Sequence, residues 1–342
     1  TRRSREATTE SRRGSVDRGR RFRRDFVGRQ PTTAVATTLG VDLAAVEDRV
    51  PPLAALAIAV LAVSTSAILV EWSRAPSLVK AFYRVLFTTL LLAPVALGRP
   101  ADRAALGRLR GRDLLVAVAS GAALALHFAS WFESLRWTSV AASVTLVQSQ
   151  PVFVAVGAWA ILDERVTART AVGILVALAG MVVLAGGDAL LGGVAQGRRP
   201  AYGNGLAVLG AVCYTGYVLA GRSLRQRVPV VPYVVVVYGV CAVVLLAATL
   251  ARGHALVGYG GREWVLFAGM ALGPGLFGHT VVNWALAHVE SSVVSVSLVG
   301  EPVGSTLLAA VLLAEVPTPT TALGGVVVLA GIAITARSRA AD

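Results

Sequence analysis

Long apolar runs separated by short polar segments fill the chain from Leu53 onward. A helix needs about 20 residues, each rising about 1.5 Å, to cross a hydrocarbon layer about 30 Å thick. Continuous runs of this length favour helices, because membrane strands show alternating segments of about ten residues. The predicted spans lie at residues 53–70, 78–97, 113–132, 139–162, 169–186, 203–221, 231–251, 264–284, 292–313 and 320–336. The predicted fold class is therefore an all-α integral membrane protein with ten transmembrane helices.

The composition agrees with a membrane protein. Apolar residues make up 55% of the 342 residues and charged residues only 15%, whereas soluble domains carry about 25% charged residues. Cys213 and Cys241 both lie in apolar runs, and two such thiols provide neither a disulfide framework nor metal-ligand spacing. We therefore expect no cofactor and no metal.

Residues 1–50 differ from the rest of the chain because they are polar, rich in Arg, Thr and Ser, and without apolar periodicity. This composition predicts a disordered basic cytoplasmic tail. The pairs Arg20–Arg21 and Arg23–Arg24 could suggest a twin-arginine signal, but no sufficient apolar stretch follows them. A wrongly assigned start site is the alternative explanation of this segment.

The distribution of Lys and Arg predicts the orientation in the cytoplasmic membrane. With the N-terminal tail inside, the inner loops and the C-terminal tail hold twelve of these residues, and the outer loops and their edges hold seven. Both termini are therefore expected in the cytoplasm, which requires an even number of spans. The formal net charge of +13 fits this explanation, so no nucleic-acid partner is expected.

The two halves of the chain share an internal repeat with a fixed offset of 151 positions. The offset aligns Pro151 with Pro302, Glu164 with Glu315, Gly173 with Gly324, and Gly180 with Gly331. The predicted repeats cover residues 51–187 and 201–337. Each contains five spans, so the second copy must cross the membrane in the opposite direction, with Glu164 inside and Glu315 outside. Inverted repeats of this kind are typical of secondary transporters.

The chain resembles the EamA-like family of the drug/metabolite transporter superfamily over about residues 53–336. The first half carries the resemblance in HFASWFESLRWTSVAASVTLVQSQP, LDERV and GILVALAG, and the second half in GHTVVNWALAHVESSVVSVSLVGEP, LLAEVPTP and GGVVVLAG. The resemblance implies a ten-helix carrier of small metabolites, commonly an exporter of amino acids or similar solutes. It implies no particular substrate.

Glu301 is the sharpest candidate for a functional residue, because a charge within hydrocarbon is costly and therefore rare. It lies near the middle of the ninth predicted span and directly precedes Pro302, which removes one backbone hydrogen bond. A contact with a substrate amine, a proton-coupling role and a purely structural carboxylate all remain open. Gln150 is its counterpart in the fourth span, and Gln148 lies at the same depth. These amides could line a polar cavity or bridge helices.

Lys80 and Arg84 lie four residues apart, on one face of the second predicted span. We expect Lys80 to extend toward the outer interface. Arg84 lies deeper, where two roles are open: binding an anionic substrate group, or a structural ion pair with Glu133 or Glu301. The ion pair is the slightly favoured interpretation.

His127 and His279 occupy corresponding places in the two halves, and each has a polar or aromatic neighbour four residues later, namely Trp131 and Asn283. A proton relay is one interpretation, and a histidine bonded to a backbone carbonyl is the favoured one. We interpret Trp131, like the other tryptophans near span ends, as an interfacial anchor.

Glu164 and Glu315 fall at helix junctions, where each is expected to accept hydrogen bonds from helix N-terminal amides in a structural role. The four repeated glycines are expected to permit close approach of helices.

Three classes of function are compatible with such a chain: a solute carrier, an intramembrane enzyme, and a membrane scaffold without transport activity. The sequence contains no HExxH motif, no GxxxxGK[ST] motif and no serine with a convincing base partner. The repeat favours the carrier, and we expect no enzymatic activity. The expected partners are a small-molecule substrate and the lipid bilayer, and a second copy of the chain is a further candidate.

Overall fold

The computed structural model describes residues 52–162, 167–190, 197–225, 228, 230–278, 281, 298 and 300–340. These residues are helical apart from short connections, and none of those described lies in a strand. The helices α1 to α12 are Pro52–Trp72, Ser77–Gly98, Pro100–Arg108, Gly111–Ser134, Val140–Val147, Gln150–Leu162, Ala168–Leu190, Pro200–Arg225, Val230–Ala251, Gly261–Met270, Gly300–Leu312 and Pro319–Ala340. A π-helical segment, Ala271–Gly278, continues α10. The predicted tail at residues 1–50 lies outside the described residues.

The apolar helices confirm the membrane class of the fold. In the described part of the chain, six stretches are long and apolar enough to cross a membrane: Ala54–Trp72, Ser77–Gly98, Gly111–Ser134, Val140–Gly157, Pro200–Gly221 and Pro232–Ala251. Three shorter apolar helices, Ala168–Leu184, Gly300–Leu312 and Pro319–Ile334, coincide with further predicted spans. The eighth predicted span overlaps α10 from Trp264 onward and contains the π-helical segment. The count of ten spans stays a prediction.

Two elements depart from the predicted spans for local reasons. The short helix α3, which begins at Pro100, was not predicted, and proline is favourable in a first helical turn because it has no N–H group to leave unpaired. Within the π-helical segment, Pro274 removes one hydrogen bond of the backbone ladder. Gly275 lies close to Thr88. A Cβ atom added at Gly275 would lie 2.8 Å from the Thr88 hydroxyl oxygen.

The helix contacts follow the repeat. The first helix of each repeat packs on the other half: α1 contacts the π-helical segment and α11, while α8 contacts α4, α5 and α6. Equivalent helices of the two repeats pair with each other, α2 with α9 and α7 with α12. The two halves are therefore interlocked, and these contacts recur when the halves are exchanged.

The α7–α12 pair shows that the repeats run in opposite directions. A Cβ atom added at Gly180 would lie 2.5 Å from the backbone nitrogen of Val328, and one added at Gly331 would lie 2.6 Å from the carbonyl oxygen of Gly173. The numbering rises along α7 as it falls along α12, so these helices are antiparallel. Only glycine permits such backbone proximity, which stabilises helix pairs in lipid by van der Waals contact.

Candidate functional site

The fourth predicted span is interrupted at its centre. Helix α5 ends at Val147 and α6 begins at Gln150, with Pro151 in the first turn of α6, where its missing N–H group costs nothing. Helix α11 is described from Gly300, and Pro302 lies within it directly after Glu301. Pro151 and Pro302 therefore occupy repeat-related positions beside Gln150 and Glu301. The unpaired N–H groups at the start of α6 favour polar partners.

A chain of side-chain hydrogen bonds joins the start of α6 to α11. Glu301 is 9% exposed, and its Oε2 atom accepts a hydrogen bond from the side-chain amide of Gln148. The Oε1 atom of Gln148 in turn accepts a hydrogen bond of 2.6 Å from Gln150 Nε2. Among the described residues, the buried Oε1 atom of Gln150 has no hydrogen-bond partner. Three residues predicted from the sequence are therefore brought together, and within the described part of the chain they leave one acceptor unsatisfied.

Helix α1 supports this group from behind. Ser64 Oγ donates to the carbonyl oxygens of Val60, at 2.8 Å, and of Glu301, at 3.3 Å. Ser305 Oγ donates to the Ser64 carbonyl oxygen at 3.0 Å. Both serines are buried, so these bonds hold the segment of α11 from Glu301 to Ser305 against α1.

Arg84 is also buried, but neither expected ion pair is formed. Its side chain is 3% exposed, and Nη1 donates a hydrogen bond of 2.8 Å to Ser66 Oγ. Among the described residues, the guanidinium has no carboxylate within ion-pair distance, although Glu301 acts on it electrostatically at longer range. The expected pairs with Glu133 and Glu301 are therefore absent, because Glu301 is bonded to Gln148 and Glu133 is bonded to Trp137.

Aromatic rings surround the Arg84 guanidinium instead. The Cζ atom of Arg84 lies 4.8 Å from the ring centroid of Phe128, 5.8 Å from that of Trp131 and 5.7 Å from that of Phe132. Such positions allow cation–π attraction, which is strongest away from water. The three rings occupy one face of α4 at spacings of three and four residues, and this signal was present in the segment HFASWF.

Trp131 is part of this cage and is not an interfacial anchor, contrary to the expectation from sequence. It is 5% exposed, and its buried indole Nε1 has no hydrogen-bond partner among the residues that the structure describes. A span-end position favoured the interface, but the aromatic face of α4 turns inward. The site therefore contains an unsatisfied donor in addition to the unsatisfied acceptor of Gln150.

His127 lies beside the aromatic cage. Its Nδ1 atom lies 2.9 Å from the Gly210 carbonyl oxygen, and since a carbonyl only accepts, Nδ1 carries the proton. The imidazole centroid is 5.0 Å from the ring centroid of Tyr214 and 6.0 Å from that of Trp131. The bond to a backbone carbonyl agrees with the favoured interpretation.

Lys80 is directed inward, contrary to the expectation that it extends to the outer interface. It is 3% exposed, and Nζ donates a hydrogen bond of 2.8 Å to the Val70 carbonyl oxygen. The carbonyls at the end of a helix lack intrahelical partners and attract a cation. The C-terminus of α1 thus provides a closer partner than the interface.

Acidic residues cap helices at the end of the bundle predicted to face outside. Glu315 Oε1 accepts a hydrogen bond of 2.6 Å from the backbone N–H of Val140, the first residue of α5. Burial raises the pKa of the Glu315 carboxyl, and hydrogen bonds from α5 amides partly oppose this rise. Ser139 accepts a bond from Ala142 in the same turn. The predicted capping interaction is therefore present for Glu315.

Glu263, in the second half, accepts hydrogen bonds from the connection between α1 and α2. It accepts hydrogen bonds of 2.5 Å from Ser73 Oγ and 3.0 Å from the backbone N–H of Arg74. Burial by itself would raise the pKa of Glu263, but these hydrogen bonds outweigh it and leave the pKa below its usual value. The connection between α1 and α2 is thereby tied to the start of α10.

Three predicted residues, Glu164, His279 and Asn283, lie outside the described residues. Within the described ranges, His, Cys, Asp and Glu side chains form no group of three that could hold a metal ion.

Comparison with known proteins identifies the family. The EamA-like transporter family matches residues 51–186 and 201–337, and the Solute carrier family 35 matches residues 132–250. A protein of Archaeoglobus fulgidus named "Uncharacterized transporter" is 22% identical over 257 residues, which are 75% of this chain and 86% of that protein.

A solved structure titled "Crystal structure of protein" has the same fold. It superposes with a TM-score of 0.56 and 23% sequence identity, covering 83% of this chain and 97% of the other. With the family matching both halves of the chain, and with apolar helices of membrane-spanning length, the assignment is complete. The chain belongs to the EamA-like transporter family and is a multi-pass membrane transporter.

Proposed function

We propose that this transporter is a secondary carrier that moves a small metabolite, such as an amino acid or a similar solute, across the cytoplasmic membrane by alternating access. The observation that carries the proposal is the hydrogen bond between Gln148 and Glu301. It joins the two repeats at the start of α6, where the fourth predicted span is interrupted. Carriers built from inverted repeats typically bind substrate between the repeats, at discontinuous helices of this kind.

The polar groups of this site suit a solute that carries hydrogen-bond donors. The carboxylate of Glu301 and the unsatisfied Oε1 atom of Gln150 are both acceptors. An ammonium or hydroxyl group of the solute would donate hydrogen bonds to these oxygen atoms. A proton on Glu301 is the alternative occupant, in which case Glu301 couples proton movement to transport.

Alternating access follows from two units that run in opposite directions and exchange roles. A closed contact at one end, such as that of Glu315 with Val140, would open as its repeat-related contact at the other end closes. With both termini in the cytoplasm, the family resemblance favours export as the direction of transport. A homodimer is compatible with this scheme, and none of its steps requires one.

The test is solute flux in proteoliposomes that contain the purified full-length protein. The vesicles are loaded with a mixture of small metabolites, and the loss of each compound is followed by mass spectrometry against protein-free vesicles. We expect selective loss of one class of solute, without chemical change. Conversion of a compound without flux would overturn the proposal in favour of an intramembrane enzyme, and neither flux nor conversion would favour a scaffold.

A further inference from the structure

Arg84 holds a charge for which the described protein provides no counter-ion in contact. Its guanidinium has five N–H donors, of which Nη1 bonds Ser66, and three aromatic rings occupy the surroundings. A buried cation is costly unless it is paired and hydrogen-bonded. The arrangement therefore has the composition of a site for an anion.

The unsatisfied N–H group of Trp131 is a second and independent observation. A buried donor without an acceptor lowers stability, and this donor belongs to a ring whose centroid is 5.8 Å from Arg84 Cζ. Among the described residues, Arg84 has no carboxylate in contact and the indole N–H group of Trp131 has no acceptor. A ligand with two acceptor oxygens would satisfy them together.

We propose that Arg84 and the indole N–H group of Trp131 bind the carboxylate of the transported solute. The inference rests on the proposed function and names the chemical class of that solute. A planar carboxylate matches the guanidinium fork with two parallel hydrogen bonds, and this geometry is unavailable to lysine. Its remaining lone pairs accept the bond from Trp131.

Charge and shape favour a monocarboxylate over a phosphate group. Within the described ranges the site offers one fixed cation, and the repeat-related position is Val235, so that position of the second half adds no matching charge. Phe128 and Phe132 provide apolar walls beside the cation. These apolar rings can pack against the hydrocarbon part of a small acid, whereas they offer no hydrogen bonds to replace the hydration shell of a dianion. Glu301, which is bonded to Gln148, leaves Arg84 open to the solute.

The experiment measures binding apart from transport. Thermal unfolding of the purified full-length protein is followed with the twenty standard amino acids, the matching 2-hydroxy acids and the matching simple carboxylates. Each acid is compared with its own carboxamide, which keeps the shape and removes the charge. We expect at least one acid to raise Tm, because a ligand that binds the folded state stabilises it. We expect its carboxamide to bind at least tenfold more weakly.

Variants assign the effect to the two residues. Arg84→Gln is expected to abolish the response to the acid, Arg84→Lys to weaken it at least tenfold, and Trp131→Phe to weaken it several-fold while the ring stays in place. Arg136→Gln is the matched control, since the Arg136 side chain is 51% exposed and pairs with Glu133 at the bundle end. The comparison of acid with carboxamide needs no variant, so it decides the matter even if Arg84→Gln fails to fold.

The outcomes separate this inference from the proposed function. Stabilisation by carboxamides equal to that by acids, stabilisation retained in Arg84→Gln, or no response to any acid would each overturn the carboxylate site. Flux of solutes without a carboxylate would leave the carrier proposal standing while removing the inference. Carboxylate binding that depends on Arg84, in a protein that shows no flux, would support the carboxylate site and remove the carrier proposal.

Discussion

The side-chain amide of Gln148 donates a hydrogen bond to the carboxylate of Glu301. The two residues belong to opposite halves of the chain. Gln148 lies in the break between α5 and α6, and Glu301 directly precedes Pro302 in α11. A bond between the halves at this place has to change when the halves move relative to each other. Glu301 is therefore the first residue to test.

Glu301→Gln keeps the shape of the side chain and removes its charge. A hydrogen bond between the charged carboxylate and the solute would contribute about 1.5–3 kcal/mol. Because this contribution is lost, we expect solute flux to fall by about tenfold or more. Membrane insertion and Tm should stay close to those of the wild type. Glu133→Gln, at the end of the bundle, is the control and should transport normally. Wild-type flux in Glu301→Gln would remove this carboxylate from the mechanism.

The close contact between α7 and α12 gives a stability prediction with a matched control. A Cβ atom at position 180 would collide with the backbone of Val328, so Gly180→Ala is expected to destabilise the protein by about 1–3 kcal/mol. Gly205 also lies in a helix, but nothing lies within 4 Å of an added Cβ atom there. Gly205→Ala should be neutral or slightly stabilising. Equal Tm values for the two variants in detergent would contradict the observed packing.

Glu315 gives a prediction about pH. Burial raises its pKa above the usual 4.5 in the folded state, so the folded protein holds this proton more tightly than the unfolded chain does. The contribution of this carboxyl to stability is therefore fully present below pH 4.5, and it is lost as the pH rises through the raised pKa. Glu315→Gln keeps an acceptor for the Val140 amide and removes the ionisation.

The measurement is Tm in detergent between pH 4.5 and 7.5. We expect Tm of Glu315→Gln to depend less on pH than that of the wild type, and to be at least as high at pH 7.5. Glu315→Leu loses the cap altogether and should cost about 0.5–2 kcal/mol. Parallel pH profiles for wild type and Glu315→Gln would show that this carboxyl does not contribute to the pH dependence.

Opposite orientation of the repeats predicts the accessibility of two junctions. In a background in which Cys213 and Cys241 are replaced by Ala, single cysteines are introduced as Glu164→Cys and Val316→Cys. A maleimide that cannot cross membranes should label position 316 in intact cells, and position 164 only after permeabilisation. Labelling of both positions from the same side would contradict the inverted topology.

The N-terminal tail gives a simple prediction. Removal of residues 1–45 should leave flux within about twofold of the wild type, since a polar segment without apolar periodicity has no core to contribute. Flux is compared at equal amounts of inserted protein. A deletion variant that inserts correctly but does not transport would give the tail a functional role.

The main features of the fold could be predicted from the sequence because they depend on composition and periodicity. Apolar runs located the helices, and the spacing between Gly180 and Gly331 revealed the repeat whose antiparallel contact is observed. Glu301 and Gln150 were found by the same logic, since polar groups at matched positions within apolar runs are rare. The break after Val147 was not predicted, although Pro151 marks a helix start as readily as a kink.

The directions of long side chains could not be predicted in this way. Lys80 was expected at the interface, but it donates a hydrogen bond to the Val70 carbonyl oxygen. Arg84 was expected in an ion pair, but aromatic rings surround its guanidinium. Both outcomes depend on which faces of α1 and α4 are turned toward α2, and hydropathy does not contain that information. Trp131 was misjudged for the same reason.

The exchange of first helices between the halves has a consequence for biogenesis. Helix α1 rests on the π-helical segment and α11, which leave the ribosome long after α1 has entered the bilayer. We therefore expect the first repeat to reach its final packing only after the second repeat has been inserted. A chain cut short within the second half would leave α1 without these partners.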